Sequence, residues 1–290
     1  RDCLLSRGLG DVYKRQLLDK GDNMALENYK ALTIAGSDTS GGAGMEADLK
    51  TFEEMGVYGM VALTVIVAQN PKDWAHDIFP IDLPTIERQI ATVGEGIGIN
   101  AMKTGMLGSA ALVELVAKSI DKYNFKNVVI DPVMVCKGID AIMVPEAAEA
   151  IKSLLVKKAD VITPNTVESA YLAGMEKVET VEDIKEACVK INKLGAKNVI
   201  IKSGSRVDGD YMVDVLFDGK EFTIQKKAKM KNIYNSGAGC TFSAAITAGL
   251  AKGLDIHQAF ENAQNFIDKA VANSFKLNEF TGALAHWQTR

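Results

Sequence analysis

From Lys30 onward, apolar and polar positions follow two rhythms that take turns along the chain. Short apolar or β-branched runs read as strands: ALTIAGSD, GMVALTVIVAQN, GINAMKTGML, NVVIDPVMV, DVITPNTVES and KNVIIKSGS. Between them lie stretches with helical spacing. In GAGMEADLKTFEEMG the residues Met45, Leu49 and Phe52 share the spacing, and Gly56 ends it. LPTIERQIATVGEG, SAALVELVAKSIDKY, VPEAAEAIKSLLVKKA and VEDIKEACVKINKLGA follow the same rule, the last ended by Gly195. GDYMVDVLFDGKEFTIQKK alternates about Asp218-Gly219, the signature of a hairpin. Two final helices are expected, from about Cys240 to Leu250 and from Asp255 to Phe275.

Strands that alternate with helices call for an α/β fold: a mostly parallel sheet with helices on both faces. In such sheets ligands sit beyond the carboxyl ends of the strands. The residues there are GSD, AQN, KTG, DPV, TPN and KSG, all small, polar or turn-forming. No internal repeat or linker divides the pattern, so residues 24–290 read as one domain. Residues 1–23 differ: they are polar, lack a period and lack the apolar stretch of a signal peptide. They read as a non-native or disordered extension, with Met24 as the start.

Composition narrows the function classes. The 290 residues are 47% hydrophobic, enough for a large core, and the net charge of −4 gives no reason to expect nucleic acid or an anionic membrane as partner. No apolar run reaches the roughly 18 residues of a membrane span. Cys3, Cys136, Cys188 and Cys240 lie far apart without a CxxC pair, which argues against a zinc site or a disulfide framework and for a reducing, cytoplasmic setting.

Four segments carry candidate chemistry. NSGAGCTFSAA places Gly237, Ala238, Gly239 and Cys240 where a turn opens a helix. Free backbone N–H groups and the helix dipole there suit a phosphate or a developing alkoxide. A glycine turn made for close packing fits the tetrapeptide equally well. Its position late in the chain, after a hairpin, argues against a dinucleotide fingerprint, and no Walker sequence occurs. AGSDTSGGAGMEADLK brings Ser37, Asp38, Gly41, Gly42 and Gly44 to the end of the first strand, as a substrate pocket or as a loop with a helix cap. In DPVMVCKG, Asp131 suits a magnesium ion held through water, or a turn before proline. In TPNTVES, Asn165 and Glu168 open a helix, so Glu168 either caps it or joins a hydrated Mg²⁺.

Together with IKSG, these segments resemble the hydroxymethylpyrimidine kinase and pyridoxal kinase branch of the ribokinase-like superfamily, from about Lys30 to the end and in the expected order. The resemblance implies ATP- and Mg²⁺-dependent phosphorylation of a primary alcohol on a vitamin-type ring, on a three-layer fold, in a homodimer. It places Gly237, Ala238, Gly239 and Cys240 at the anion hole and catalytic position. It places Asp131 and Glu168 at the metal, and Thr163, Asn165 and Lys202 on the nucleotide-phosphate side. Asp38, Gly44, Glu46, Met102 and Val133 fall around the substrate. The family often has glutamine where this chain has Glu46. Many pyridoxal kinases have aspartate where Cys240 stands, whereas the pyrimidine-kinase-like branch has cysteine. Cys136, where pyrimidine kinases commonly have a small residue, is similar to a subgroup of pyridoxal kinases with two active-site cysteines. A thiol there suits reversible addition to the pyridoxal aldehyde, or simply fills a flap. The expected substrate is therefore pyridoxal, with hydroxymethylpyrimidine as the alternative, and a vitamin-binding protein without transfer activity as a third class. His76 and His257 match no motif and read as solvated surface.

Overall fold

The computed structural model describes residues 28–135, 141–204, 206–207, 210–231 and 233–289. The reading of residues 1–23 and the flap thiol of Cys136 lie outside the described residues.

Nine strands make one sheet: β1 (Lys30–Asp38), β2 (Tyr58–Gln69), β3 (His76–Pro80), β4 (Ala101–Thr104), β5 (Val128–Ile130), β6 (Val161–Ile162), β7 (Asn198–Lys202), β8 (Tyr211–Phe217) and β9 (Phe222–Ala228). Their order is β3-β2-β1-β4-β5-β6-β7-β8-β9. The six strands from β2 through β7 in that order run parallel; at the edges β3 pairs antiparallel with β2, β8 with β7 and β9 with β8. The helices are α1 (Gly44–Glu54), α2 (Leu83–Gly96), α3 (Ala110–Lys122), α4 (Pro145–Ala150), α5 (Thr166–Ala173), α6 (Val181–Lys193), α7 (Ala238–Ala251) and α8 (Ile256–Ala272).

The mostly parallel α/β sheet is the one the sequence pattern calls for. Three local differences stand out. Strand β3 was not expected, because all five of its residues are exposed and carry no burial rhythm; it exists through pairing with β2. The segment after α4 leaves α-geometry for a wider π turn over Ile151–Leu155 and a 3-10 turn over Val156–Lys158. Helix α8 ends at Ala272, and Phe275–Lys276 instead pairs with Gly282–Ala283.

Strand alternation builds two cores. Leu32, Ile34, Met102, Val128, Ile130, Ile162, Val199 and Ile201 point to one face, where α2 to α6 cover them. Ala31, Ala101, Val129, Val161 and Ile200 point to the other, against α1, α7 and α8. Small residues let α7 press close: a Cβ on Gly249 would stand 3.0 Å from the Ala259 Cβ of α8. On this second face the same alternation also carries polar side chains, Thr33, Lys103, Asp131, Thr163 and Lys202, toward the carboxyl ends of the strands. The site is assembled there.

Candidate active site

The loop between β1 and α1 is folded by two carboxylates. Asp38 Oδ1 accepts from the Ser40 amide at 3.0 Å, the Ser40 hydroxyl at 2.8 Å and Gln69 Nε2 at 2.7 Å, while Oδ2 accepts from the Ala43 amide at 2.8 Å. Glu46 accepts from the Ser37 hydroxyl and from the Asp38 amide, both at 2.8 Å. Both residues expected at the substrate thus hold the loop in shape. Gly44 has φ +59°, and a Cβ there would lie 2.4 Å from the Gly36 carbonyl oxygen. The second glycine turn docks on this loop: a Cβ on Gly237 would meet the Gly42 oxygen at 1.8 Å. Two clusters far apart in sequence form one seam.

Cys240 lies at that seam. Gly237 is the N-cap of α7, so Ala238, Gly239 and Cys240 make its first turn. The Gly44 amide, at the start of α1, donates to the Cys240 sulfur, so the thiol is embraced by two helix N-termini. Even so, burial pushes the thiol up to about 11; Lys103 pulls it down, Asp48 and Asp131 push it further up, and the Gly44 amide pulls it down. A helix N-terminus alone would lower a thiol; the surroundings of this one reverse the direction. Burial outweighs the dipole because an anionic sulfur would lose its water, and two carboxylates would face it as well. Cys188 behaves as expected of a core residue: buried, with its thiol pushed up to about 12.

Asp131 follows β5 and is buried. Its Oδ1 accepts from Lys202 Nζ at 3.0 Å and Thr163 Oγ1 at 3.2 Å, and its Oδ2 from Ser243 Oγ of α7 at 3.0 Å. Lys202 Nζ also stands beside the turn at Gly237 to Cys240, 3.5 Å from where a Cβ on Gly239 would be. Asn165 and Glu168 form a capping box on α5: Asn165 Oδ1 accepts from the Val167 and Glu168 amides, and Glu168 Oε2 accepts from the Asn165 amide at 2.9 Å. Glu168 Oε1 accepts from the Met134 amide at 3.2 Å, which ties the cap to the loop after Asp131. Burial pushes Glu168 up to about 7, Lys202 opposing and Asp131 adding to the rise.

Two expectations need correction. Met102 is not a pocket wall: strand alternation turns it into the core on the opposite face, fully buried. Thr163 is fully buried with its hydroxyl on Asp131, so it shapes that carboxylate and has no open surface for a nucleotide. Val133 is partly exposed, and its amide donates to the Asp131 carbonyl oxygen.

The sequence reading missed Ser243, Gln69 and, above all, Asp48 with Lys103. Lys103 Nζ reaches both Asp48 oxygens at 2.9 Å, and Thr33 Oγ1 donates to Asp48 Oδ2 at 2.6 Å. A signal for Asp48 existed: it stands three residues after Met45 and four before Phe52, on a helix face that should be apolar. The buried face of α1 is Ala47, Asp48, Thr51 and Phe52, rotated from the expected Met45, Leu49 and Phe52.

Comparison with known proteins decides the family. Residues 38–285 match the family described as phosphomethylpyrimidine kinase. The chain belongs to the phosphomethylpyrimidine kinase family. It is 51% identical to the pyridoxine kinase of Bacillus subtilis (strain 168) over 90% of this chain and 97% of that one. It is 43% identical to the hydroxymethylpyrimidine/phosphomethylpyrimidine kinase of the same organism, over 89% of this chain and 95% of that one. The crystal structure of an ADP complex of Bacillus subtilis pyridoxal kinase superimposes with a TM-score of 0.87 at 50% identity, covering 90% of this chain and 98% of that one.

A phosphomethylpyrimidine kinase family member is expected to work with ATP and Mg²⁺, and the residues present fit that metal in one form. Among the described residues no group of three or more His, Cys, Asp or Glu side chains could cage an ion. The Asp131 charge adds to the rise of Glu168, and Lys202 Nζ stands 3.0 Å from Asp131. Two carboxylates with room for water and phosphate suit Mg²⁺, which keeps most of its water and takes few protein ligands.

Proposed function

We propose that this chain is an ATP-dependent pyridoxal kinase, which phosphorylates the 5′-hydroxymethyl group of pyridoxal and related B6 vitamers. The observation that carries the reading is the seam at Cys240. There the ring-side loop, through Gly44, and the anion turn, through Gly237 to Cys240, meet at one sulfur. An alcohol held by the first loop would face a phosphoryl group held by the second. The greater identity to the pyridoxine kinase than to the pyrimidine kinase supports the choice of vitamer.

The hydroxymethyl oxygen attacks the γ-phosphorus, the bond from that phosphorus to the β,γ-bridging oxygen breaks, and ADP leaves. The amides of Gly237 to Cys240 stabilise the charge on the transferring group. Lys202 steadies Asp131 and reaches the same turn. Asp131 and Glu168 would hold Mg²⁺ through water; when bound, it neutralises phosphate charge. Once the Cys240 thiol has given its own proton to water, its sulfur accepts the alcohol's proton. The transfer is loose, so positioning outweighs base strength. The same reading includes a reducing, cytoplasmic setting and a homodimer. Supporting the dimer, Ile78 and Phe79 are exposed on the edge strand β3.

A second reading, hydroxymethylpyrimidine kinase, is favoured by the family match itself. Side-by-side turnover of pyridoxal and hydroxymethylpyrimidine with MgATP separates the two. A higher kcat/KM for pyridoxal is expected; a higher value for the pyrimidine would overturn the proposal. Turnover of neither would point to a binding protein.

A further inference from the structure

Behind the thiol lies an ion pair that the transfer scheme leaves without a task. Lys103 of β4 and Asp48 of α1 are both fully buried, and they are joined through both carboxylate oxygens. Around them this face of the sheet is lined by Ala31, Ala101, Ala244 and Ala248, a setting for apolar packing. A buried ion pair in such a place is seldom better for stability than hydrophobic side chains of similar volume, because both ions lose their water. Its presence calls for a reason other than stability.

The neighbours of Cys240 supply one. The Gly44 amide that donates to the sulfur opens α1, Asp48 stands one turn further along that helix, and Lys103 of β4 reaches both Asp48 oxygens at 2.9 Å, so this pair, with Asp131 at the end of β5, supplies charges that act on the sulfur. Lys202 of β7 stands against Gly239 but is paired with Asp131. His286 is behind the next residue, with Nε2 2.9 Å from Thr241 Oγ1, and burial holds it neutral by pushing it down to about 4. Among the described residues, Lys103 is thus a cation that favours a negative sulfur. Two of its three N–H donors are accounted for by Asp48. Burial works against its charge, yet Asp48, Cys240 and Asp131 together hold the ammonium above its ordinary range, so it stays protonated near neutrality.

Resting on the role given to Cys240 above, we propose that Lys103 is a positioning residue for phosphoryl transfer, the buried counter-charge that lets the Cys240 sulfur become an anion. Asp48 holds Lys103 in place and at the same time weakens its pull on the sulfur. Ionisation breaks the S–H bond, leaves the electron pair on sulfur and gives the proton to water. Anything that draws the Asp48 charge away from Lys103 turns more of the ammonium's field toward the thiol.

The two partners should therefore act on Cys240 with opposite sign. The experiment is peptide-resolved alkylation of Cys240 by iodoacetamide in the nucleotide-free, full-length protein, across pH, for wild type, K103M, K103R and D48N. At about pH 8, K103M is expected to slow alkylation of Cys240 about tenfold or more, the equivalent of one pKa unit. D48N is expected to speed it, and K103R to stay close to wild type. A common direction for K103M and D48N, or no change in either, would overturn the proposal. If K103M does not fold, D48N decides alone: an unchanged or slower rate would reject it. Alkylation needs no turnover, so its outcome stands apart from the vitamer assay. Shifts as expected in a protein that phosphorylates no vitamer would sink the pyridoxal kinase reading and leave the charge relationship intact.

Discussion

Gly237 and Gly42 meet backbone to backbone: a Cβ on Gly237 would lie 1.8 Å from the Gly42 carbonyl oxygen, and Gly237 has φ +77°. One contact therefore fixes the distance between the anion turn and the ring-side loop, and with it the place of Cys240 between Gly44 and α7.

Gly237→Ala breaks that contact in two ways. A left-handed backbone with a side chain costs about 1–2 kcal/mol, and the loops must also separate. The expected outcome is a lower Tm together with a loss of kcat of about tenfold or more, since a displacement of about 1 Å can cost that much. Thermal unfolding and steady-state kinetics measure both. A variant with wild-type kcat would show that the seam does not position the reaction.

Cys240→Ala removes the group at the centre of the seam and leaves the anion-turn amides in place. Turnover should fall by about 10²-fold or more, with affinity for a non-hydrolysable ATP analogue little changed. Calorimetric titration and rapid-quench kinetics separate the two effects. Unimpaired turnover would end the proposed role of the thiol in the chemistry.

The strand and helix order was legible because the parallel strands are apolar on both faces and the helices on one, so period and length agree. The edge was not legible. His76 to Pro80 has every residue exposed, and only pairing with β2 makes it a strand. The two glycine clusters were visible in the sequence, but no local pattern says that Gly42 and Gly237 touch. Lys103 was hidden for another reason. Within AMKT it looks like a surface residue of a short strand, whereas all four residues are buried. The raised thiol of Cys240 follows from what surrounds it in space, and sequence neighbours alone suggest the opposite direction.

Glu168 predicts a pH signature. Burial raises its pKa from 4.5 to about 7, so the folded protein binds this proton more tightly than the unfolded chain does. Its contribution favours folding fully below about 4.5 and is lost as pH rises through about 7. Glu168→Gln keeps a neutral side chain of the same shape and should flatten the Tm profile between those limits. Added MgCl₂ should raise the wild-type Tm above neutrality and do much less for the variant. Parallel profiles with and without the substitution would contradict both the burial argument and a metal role.

Cys136 tests the choice of vitamer. If its thiol adds reversibly to the pyridoxal aldehyde, Cys136→Ala should reduce kcat/KM for pyridoxal by several times more than for pyridoxine, which has no aldehyde. The comparison uses one protein and two substrates, so a general defect in the flap cancels. Equal losses would reject aldehyde capture by this residue.

Glu46 is where this chain departs from the glutamine often found in the family, and the structure gives the departure a physical meaning. One carboxylate oxygen accepts from the Ser37 hydroxyl and the other from the Asp38 amide, both at 2.8 Å. A glutamine can accept with its single oxygen, but its NH₂ can only donate. If that oxygen keeps the Asp38 amide, Ser37 must turn its hydroxyl to accept from the NH₂ and gains a free proton for another partner. If it keeps Ser37 instead, the Asp38 amide faces an NH₂ and the loop must shift. Glu46→Gln should therefore alter the ring-side loop and leave the anion turn as it is. The expected result is a change in KM for pyridoxal and in the ratio of pyridoxal to hydroxymethylpyrimidine turnover, with KM for ATP unchanged. A variant with the wild-type vitamer ratio would show that this carboxylate only folds the loop and has no part in ring preference.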